Sequence, residues 1–431
     1  MKLYYDYKKL YRFIIIFFLG ILMLVPFVFS YAETIEELNN KIGQKNIDIT
    51  KLEQEIALYQ SQINNLGKQK SSLSSSIKQL DLSKKKLIAD ISITQNKIDK
   101  TNLTIQELSL NINDKEDIIL NNSNVIALDI RRMNELEQND LIETILSEND
   151  FTIIWNDIEN MSSISNALIE MTTKLKKVKN NLEYTKKETT DAKNELITLK
   201  SKLNDQKKIV EQNTKEKNKL LTQTKNSETS YQKLLKDRLA KKEAFEKEVE
   251  GYESQIKFIL NPSLLPQKGV LSWPLDYVYI TQLFGVTKDS KRLYASGSHS
   301  GVDFRASIGT PVKSVADGVV VGVGDTDKTC PYASFGKFIF IKHNNGLSTT
   351  YGHLSLIKVS EGQKIKRGDI IGYSGNTGHT TGPHLHLTVY ASEAAKMETR
   401  PSKACEGRSY TMPIAPTNAY LDPMYYLPSL Q

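Results

Sequence analysis

Hydrophobic residues recur at alternating steps of three and four along the front of the chain: Leu38, Ile42, Ile49, Leu52, Ile56, Tyr59, Ile63, Leu66, Leu73, Ile77, Leu80, Leu87, Ile91, Ile98, Ile105, Leu108 and Ile112. That spacing lays one apolar stripe along a helix and predicts a coiled-coil seam. As a single helix, at about 1.5 Å per residue, it would be roughly 110 Å long. Polar residues at the seam positions Lys45, Lys70, Lys84, Thr94 and Thr101 weaken it locally and are expected to fix its register. A second, looser seam includes Leu168, Met171, Leu175, Val178, Leu182, Leu196, Leu199, Leu203, Val210, Leu220, Tyr231, Leu234 and Phe245. Two seams of similar length predict an antiparallel hairpin over residues 33–258, with an intermolecular dimer as the alternative. Between them, Leu141, Ile145, Leu146, Phe151, Ile154, Trp155 and Ile158 are too many large apolar groups for a turn. Short helices near residues 135–165 are expected to cap the tip.

The pattern changes beyond a proline- and leucine-containing linker at residues 259–273. Short β-branched runs separated by glycine follow, at Tyr279–Thr281, Val319–Val323, Lys337–Lys342 and Ile370–Tyr373. These predict antiparallel strands over a domain at residues 274–431. The fold class is therefore α + β in separate regions, a long helical coiled coil followed by an antiparallel β-sheet domain.

Composition adds the compartment. Lys2, Lys8, Lys9 and Arg12 precede an apolar run from Phe13 to Phe29, and Ser30 and Ala32 supply small residues before a cut. Residues 1–32 thus read as a signal peptide cleaved after Ala32, or as an uncleaved membrane anchor. Either reading places the rest outside the cytoplasm, secreted or membrane-anchored. The net charge of +7 over 431 residues is spread out. Without a dense basic block carrying aromatics, a nucleic-acid surface is excluded. Cys330 and Cys405 are the only cysteines, and in an oxidising compartment a disulfide between them is expected, with two free thiols as the alternative.

All six histidines fall in the β-rich region. Two spacings stand out there, His299-Ser-Gly-Val-Asp303 and His384-Leu-His386. In an extended chain, residues two or four apart share a face, so each pair can converge on one point above a sheet. Imidazoles with a carboxylate suit a zinc ion that keeps one position open. His343, before the Asn344-Asn-Gly346 turn, reads as structural, and His379 reads as a residue of the cleft rim.

The stretches around these histidines carry a resemblance. Ile280-Thr-Gln-Leu-Phe-Gly285, His299-Ser-Gly-Val-Asp-Phe304, Gly309-Thr-Pro-Val312 and Ala316-Asp-Gly-Val-Val320 come first. Tyr351-Gly-His-Leu-Ser355, Gly372-Tyr-Ser-Gly-Asn-Thr-Gly378 and Thr381-Gly-Pro-His-Leu-His386 follow. In this order, over about residues 270 to 390, the sequence resembles the lysostaphin-type, or LytM-type, zinc metallopeptidases of peptidoglycan. The resemblance implies zinc ligands at His299, Asp303 and His386, and catalytic histidines at His353 and His384. It implies an endopeptidase acting on stem or cross-bridge peptides. The chain departs from the family pattern at Leu387-Thr-Val-Tyr390, which lacks the acidic residue often found there. It also carries an extra segment from Ala391 to Asn418, which a Cys330–Cys405 bridge would tie to the β-core. The coil in front resembles the layout of division-associated murein hydrolases and their activators, in which a coiled coil engages a membrane complex. A non-enzymatic activator of a separate cell-wall amidase is the alternative function.

Overall fold

The computed structural model describes residues 34–66, 72–137, 151–256, 260–287, 290 and 297–430. The expected signal or anchor at residues 1–32 and the apolar residues Leu141, Ile145 and Leu146 lie outside the described residues. Among the described residues no helix is long and apolar enough to cross a membrane.

The helical half consists of α1 (Ile35–Leu66), α2 (Leu73–Glu137), α3 (Phe151–Thr224) and α4 (Glu228–Glu253). Its first seam is not one rod. Lys45 Nζ bonds Asn96 Oδ1 at 3.1 Å and Asp99 Oδ2 at 2.9 Å, and Lys100 bonds Asn46 at 2.8 Å, so α1 lies alongside α2. The heptad therefore divides between two helices that cover each other. Thr94 and Thr101, two of the polar seam positions, are buried, and Lys45 finds its partners across the seam. Of the segment where short helices are expected, residues 138–150 lie outside the described residues and residues 151–165 form the first turns of the long α3.

The chain divides into two units, Met1–Gln44 with Leu103–Thr190, and Lys45–Asn102 with Asp191–Gln431. In the first, Lys115 bonds Thr185 at 2.7 Å and Lys186 pairs with Glu116 at 2.7 Å, so α2 and α3 lie side by side. In the second, Leu73 packs with Leu220, Asn213 donates to the Leu80 carbonyl at 3.1 Å and Leu87 packs with Ile209, so α2 and α3 run antiparallel there.

The β-sheet domain lies in the second unit. Its ten-stranded sheet has the order β1 (Ile280–Gln282), β2 (Val302–Arg305), β9 (His384–Ala391), β6 (Leu347–Ile357), β5 (Lys337–His343), β4 (Gly318–Asp325) and β7 (Lys364–Ile365), with β12 (Tyr420–Leu421) on β9 and with β8 (Ile370–Ser374) joining β3 (Pro311–Lys313) and β6. The strands that position the site are β2 (Val302–Arg305), β5 (Lys337–His343), β6 (Leu347–Ile357) and β9 (His384–Ala391). Alternation sorts their side chains. Val302 and Phe304 on β2, with Leu385, Leu387 and Val389 on β9, are fully buried in the apolar core. Asp303, His384, His386 and Thr388, at the intervening positions, face the other way. A second small core joins Cys330, Ala333, Phe338, Tyr410, Met412 and Ile414. It gathers around the hairpin of β10 (Lys396–Ser402) and β11 (Arg408–Ile414), which belongs to the extra segment. The Cys330–Cys405 disulfide, Cα to Cα 5.7 Å, ties that hairpin to the loop after β4 (Gly318–Asp325).

The helices of this unit pack directly on the β-domain. Leu87 and Ile209 are buried against Ile308 and Tyr373, and Tyr373 Oη donates to Asp205 at 3.0 Å. Phe245 of α4 is 1% exposed and enters the second core, its ring 4.9 Å from that of Tyr410. Burying a phenylalanine contributes roughly 1.5–3 kcal/mol to that seat. Glu248 accepts from the Lys403 and Ala404 amides at 2.9 and 2.8 Å, and Arg238 stacks 3.4 Å over the Tyr332 ring.

Candidate active site

β2 and β9 are antiparallel neighbours with Asp303 directly opposite His386. Because both residues point off the core face, pairing alone brings a carboxylate beside an imidazole. Asp303 Oδ1 lies 2.8 Å from His386 Nδ1, 3.3 Å from His299 Nε2 and 3.7 Å from His384 Nε2. His299 Nε2 and His386 Nδ1 are 3.1 Å apart. His299 arrives from an isolated bridge, Gly285 with His299, at the edge of the sheet. Close approach of the strands requires glycine at 301. A Cβ there would meet Leu387 O at 2.3 Å and the His386 ring at 2.9 Å.

His353 reaches the site by a different device. β5 and β6 pair Lys337 with Leu354 and Ile339 with Tyr351, so β6 carries one extra residue between those pairs. The bulge sends His353 into the left-handed region, φ 61°, at a cost on the order of 1–3 kcal/mol that the surroundings must hold. Its ring then lies 4.6 Å from His384 and 5.7 Å from His386, centroid to centroid.

Each of the four imidazoles has one nitrogen committed away from the centre. His299 Nδ1 donates to the Leu283 carbonyl at 3.0 Å, His353 Nδ1 to the Thr377 carbonyl at 2.9 Å, and His384 Nδ1 to the Gly382 carbonyl at 2.8 Å. A carbonyl only accepts, so these Nδ1 atoms carry the proton and each Nε2 keeps its lone pair. The Thr388 hydroxyl, 2.8 Å from His386 Nε2, can accept an N–H from that nitrogen, the tautomer in which the Nδ1 lone pair faces the centre. Two lone pairs and a carboxylate oxygen then face one another at close range, an arrangement that repels itself unless a cation or proton lies between. His299, Asp303 and His386, all buried, offer ligand atoms within 4.8 Å of one another. This donor set fits zinc.

Electrostatics follow the geometry. Burial alone would raise the Asp303 carboxyl, but His384, His299 and His386 hold it well below the usual carboxylate range. Burial, with His384 and His386 alongside, holds His353 well below its ordinary value, and burial lowers His386 as well. His343 is outside the site, bonded to the Asp317 carbonyl and to Thr349, and burial pushes it down to about 4. His379 lines the cavity, pushed down to about 3 by burial, Lys242 and His384.

That cavity, about 270 Å³, is lined by His299, Asp303, His353, His384 and His386 together with Gln282, Ser300, Phe335 and Thr381. One wall comes from α4, through Phe245, Glu246, Val249, Glu250 and Glu253. The helical wall and the carbonyls of Leu283, Thr377 and Gly382 escaped the sequence reading. Thr388 could have been found, since it stands two residues after His386 on the same strand face.

Residues 297–398 match the model of Peptidase family M23. The peptidoglycan DD-endopeptidase ShyA of Vibrio cholerae is 52% identical over 91 residues, 21% of this chain and 20% of that protein. The glycyl-glycine endopeptidase ALE-1 of Staphylococcus capitis is 44% identical over 92 residues, 21% and 24% respectively. This chain thus spans only 20% and 24% of the length of these two relatives. Among solved structures, the catalytic domain of lysostaphin from Staphylococcus simulans is 29% identical, covers 34% of this chain and 90% of its own, and has a TM-score of 0.26. Residues 297–398 are therefore similar to the peptidase domains of family M23.

Proposed function

We propose that the chain is an exported zinc metallo-endopeptidase that hydrolyses peptide bonds in peptidoglycan stem or cross-bridge peptides, regulated by its helical arm. The observation that carries the reading is the shared orientation of four imidazoles, each tied by one nitrogen and open to the centre by the other. The names of relatives such as ShyA and ALE-1 support the substrate class.

His299, Asp303 and His386 would hold the ion. When bound there, zinc supplies Lewis acidity, which polarises a carbonyl and brings the pKa of water to about 7. The Leu283 carbonyl fixes the tautomer of His299, and the Thr388 hydroxyl holds the His386 ring by its Nε2. His353, kept neutral by burial, accepts a proton from the attacking water and returns one to the leaving amine. His384, the more open of the pair, faces the same centre with Nε2, and in its imidazolium form it donates from that nitrogen to the oxygen on which negative charge develops. No side-chain nucleophile is needed.

The wall that α4 contributes to the cavity supports a regulatory role, since a peptide reaching His353 and His384 must share that space with Phe245 and Val249. A membrane division complex engaging the arm would be the partner that moves it. The apolar residues Leu120, Leu128 and Ile130, more than half exposed on α2, support such contact. Export follows from the basic, apolar start of the sequence and from the location of the substrate.

Zinc content measured together with muropeptide products tests the reading. One equivalent of zinc and new peptide ends are expected. A protein that leaves muropeptides intact but stimulates a separate amidase would be the activator instead.

A further inference from the structure

The bulge that aims His353 at the centre is held from two loops. The His353 amide donates to the Phe335 carbonyl at 2.7 Å, and its Nδ1 donates to the Thr377 carbonyl at 2.9 Å. Phe335 and Thr377 lie in separate loops, one after β4 and one before β9, whose backbones touch. Gly336 and Gly378 both have positive φ, 63° and 70°. A Cβ on Gly378 would fall 2.1 Å from Ser334 O and 2.2 Å from Gly336 N. The His379 amide donates to Ser334 O at 2.7 Å, and the Lys337 amide donates to Thr377 Oγ1 at 3.0 Å.

A single carboxylate spans the two loops. Asp327, in the short turn Thr326–Lys328 after β4, accepts the Tyr332 amide on Oδ1 at 2.6 Å and the Gly378 amide on Oδ2 at 2.8 Å. Both oxygens accept, as in an ionised carboxylate. The Gly378 N–H and the Thr377 C=O are the two ends of one planar peptide unit. One end is held by Asp327, and the other receives the His353 proton. We propose that Asp327 is a positioning residue for His353, acting through the Thr377–Gly378 peptide as an aspartate–peptide–histidine relay.

The relay does two things. It fixes the plane of the peptide, so the carbonyl stays aimed at His353 Nδ1 and the ring keeps Nε2 toward the centre. It also draws charge along the unit. A carboxylate on the N–H end makes the carbonyl a stronger acceptor, because bonds in series polarise one another. The Nδ1–H tautomer is thereby favoured and Nε2 becomes more basic. An aspartate beside a histidine does this directly, and here one peptide group stands between them. Nothing in the sequence spacing signals it, since Asp327 and His353 are brought together only by the two loops.

The inference rests on the proposed role of His353, and a double-mutant cycle on the full-length, zinc-loaded protein separates the two. Turnover of purified peptidoglycan, KM and zinc content would be measured for Asp327→Asn, His353→Ala and the double variant. Asp327→Asn, which keeps the shape but turns an amide nitrogen toward one N–H, is expected to lower kcat about 10- to 100-fold with KM and zinc content unchanged. In the His353→Ala background the same change is expected to add nothing. An additive loss would mean that Asp327 acts on the fold and not through His353, and would overturn the relay. If His353→Ala itself leaves turnover intact, the reading of His353 fails first. A second measurement does not depend on the folding of any variant. In protein with nitrogen-15 in its histidines, His353 should show a protonated Nδ1 and an unprotonated Nε2. The opposite tautomer would break the link to the Thr377 carbonyl and remove the proposal.

Discussion

Glu253, in the last turn of α4, accepts a 2.6 Å hydrogen bond from Tyr420 Oη, and Tyr420 pairs in β12 with Tyr390 of the strand that carries His384 and His386. The arm is thus tied to the catalytic strand through a carboxyl. Burial pushes that carboxyl up to about 7, with the nearby Glu250 adding to the rise and the bonds from Tyr420 and the Ala415 amide opposing it. Once α4 leaves its seat, Glu253 returns to the ordinary range of about 4.3. Between these values the seated form holds more protons than the released form, so seating weakens as pH rises through this window. Its full contribution is present below about pH 4.5 and is lost above about pH 7. Hydrogen exchange of residues 242–253 should therefore be faster at pH 8 than at pH 5.5, after correction for intrinsic rates. Glu253→Gln, neutral at every pH, should flatten the difference. Equal pH dependence in the two proteins would refute this account of the latch.

Ligand and proton-transfer roles separate by substitution. His386→Ala and Asp303→Ala should lose zinc and turnover together, because each removes one of three ligands. His353→Ala and His384→Ala should retain zinc and lose about 10²- to 10⁴-fold in turnover. Equal zinc loss in all four variants would contradict the division of roles, and thermal melting distinguishes it from collapse of the fold.

Gly301 gives a sharper geometric test. A methyl at this position meets the Leu387 carbonyl and the His386 ring well inside contact distance. Gly301→Ala should weaken zinc binding by about 10- to 100-fold, an effect of the size seen when the support of a ligand is disturbed. Competition with a zinc chelator reads it directly. Unchanged affinity would show that β2 and β9 can part without disturbing His386.

The Cys330–Cys405 bridge closes a sequence separation of 75 residues. Loop-closure entropy for that length corresponds to about 4 kcal/mol of stabilisation. Non-reducing mass mapping should recover the linked peptides, and Cys330→Ser with Cys405→Ser should lower the melting temperature. Two alkylatable thiols in protein from an oxidising compartment would contradict the structure.

The sequence made some of this legible and hid the rest for physical reasons. His299, Asp303, His384 and His386 were readable because strand period two is local and needs no knowledge of partners. The strands at residues 318–325 and 337–343 announced themselves through β-branched runs between glycines. The division of the first seam between α1 and α2 was hidden, because Leu66 and Leu73 stand seven apart and the heptad phase continues from one helix into the next. The carbonyls of Leu283, Thr377 and Gly382 carry no signature, since every residue has one. The seat of α4 was invisible for a related reason. It is built from Cys330, Tyr410 and Met412, all distant in sequence from Phe245.

That seat supplies the decisive test of regulation. Phe245 fills the second core and also lines the cavity above the histidines, so its truncation acts on the arm and on the cleft at once. Replacing a buried phenylalanine by alanine costs about 3–5 kcal/mol where the site cannot collapse. If α4 masks the cleft by about 2.7 kcal/mol, the open population is roughly one in a hundred, and a loss of that size from the seat would make it dominant. Phe245→Ala is therefore expected to raise the turnover of purified peptidoglycan by up to about a hundredfold at unchanged zinc content. Ile209→Ala is the control. Ile209 is equally buried, against Leu87, Ile308 and Tyr373, but it does not line the cavity. It should lower stability without raising turnover. If both variants lose stability and neither gains activity, α4 is a strut of the fold, and regulation by the arm must be abandoned.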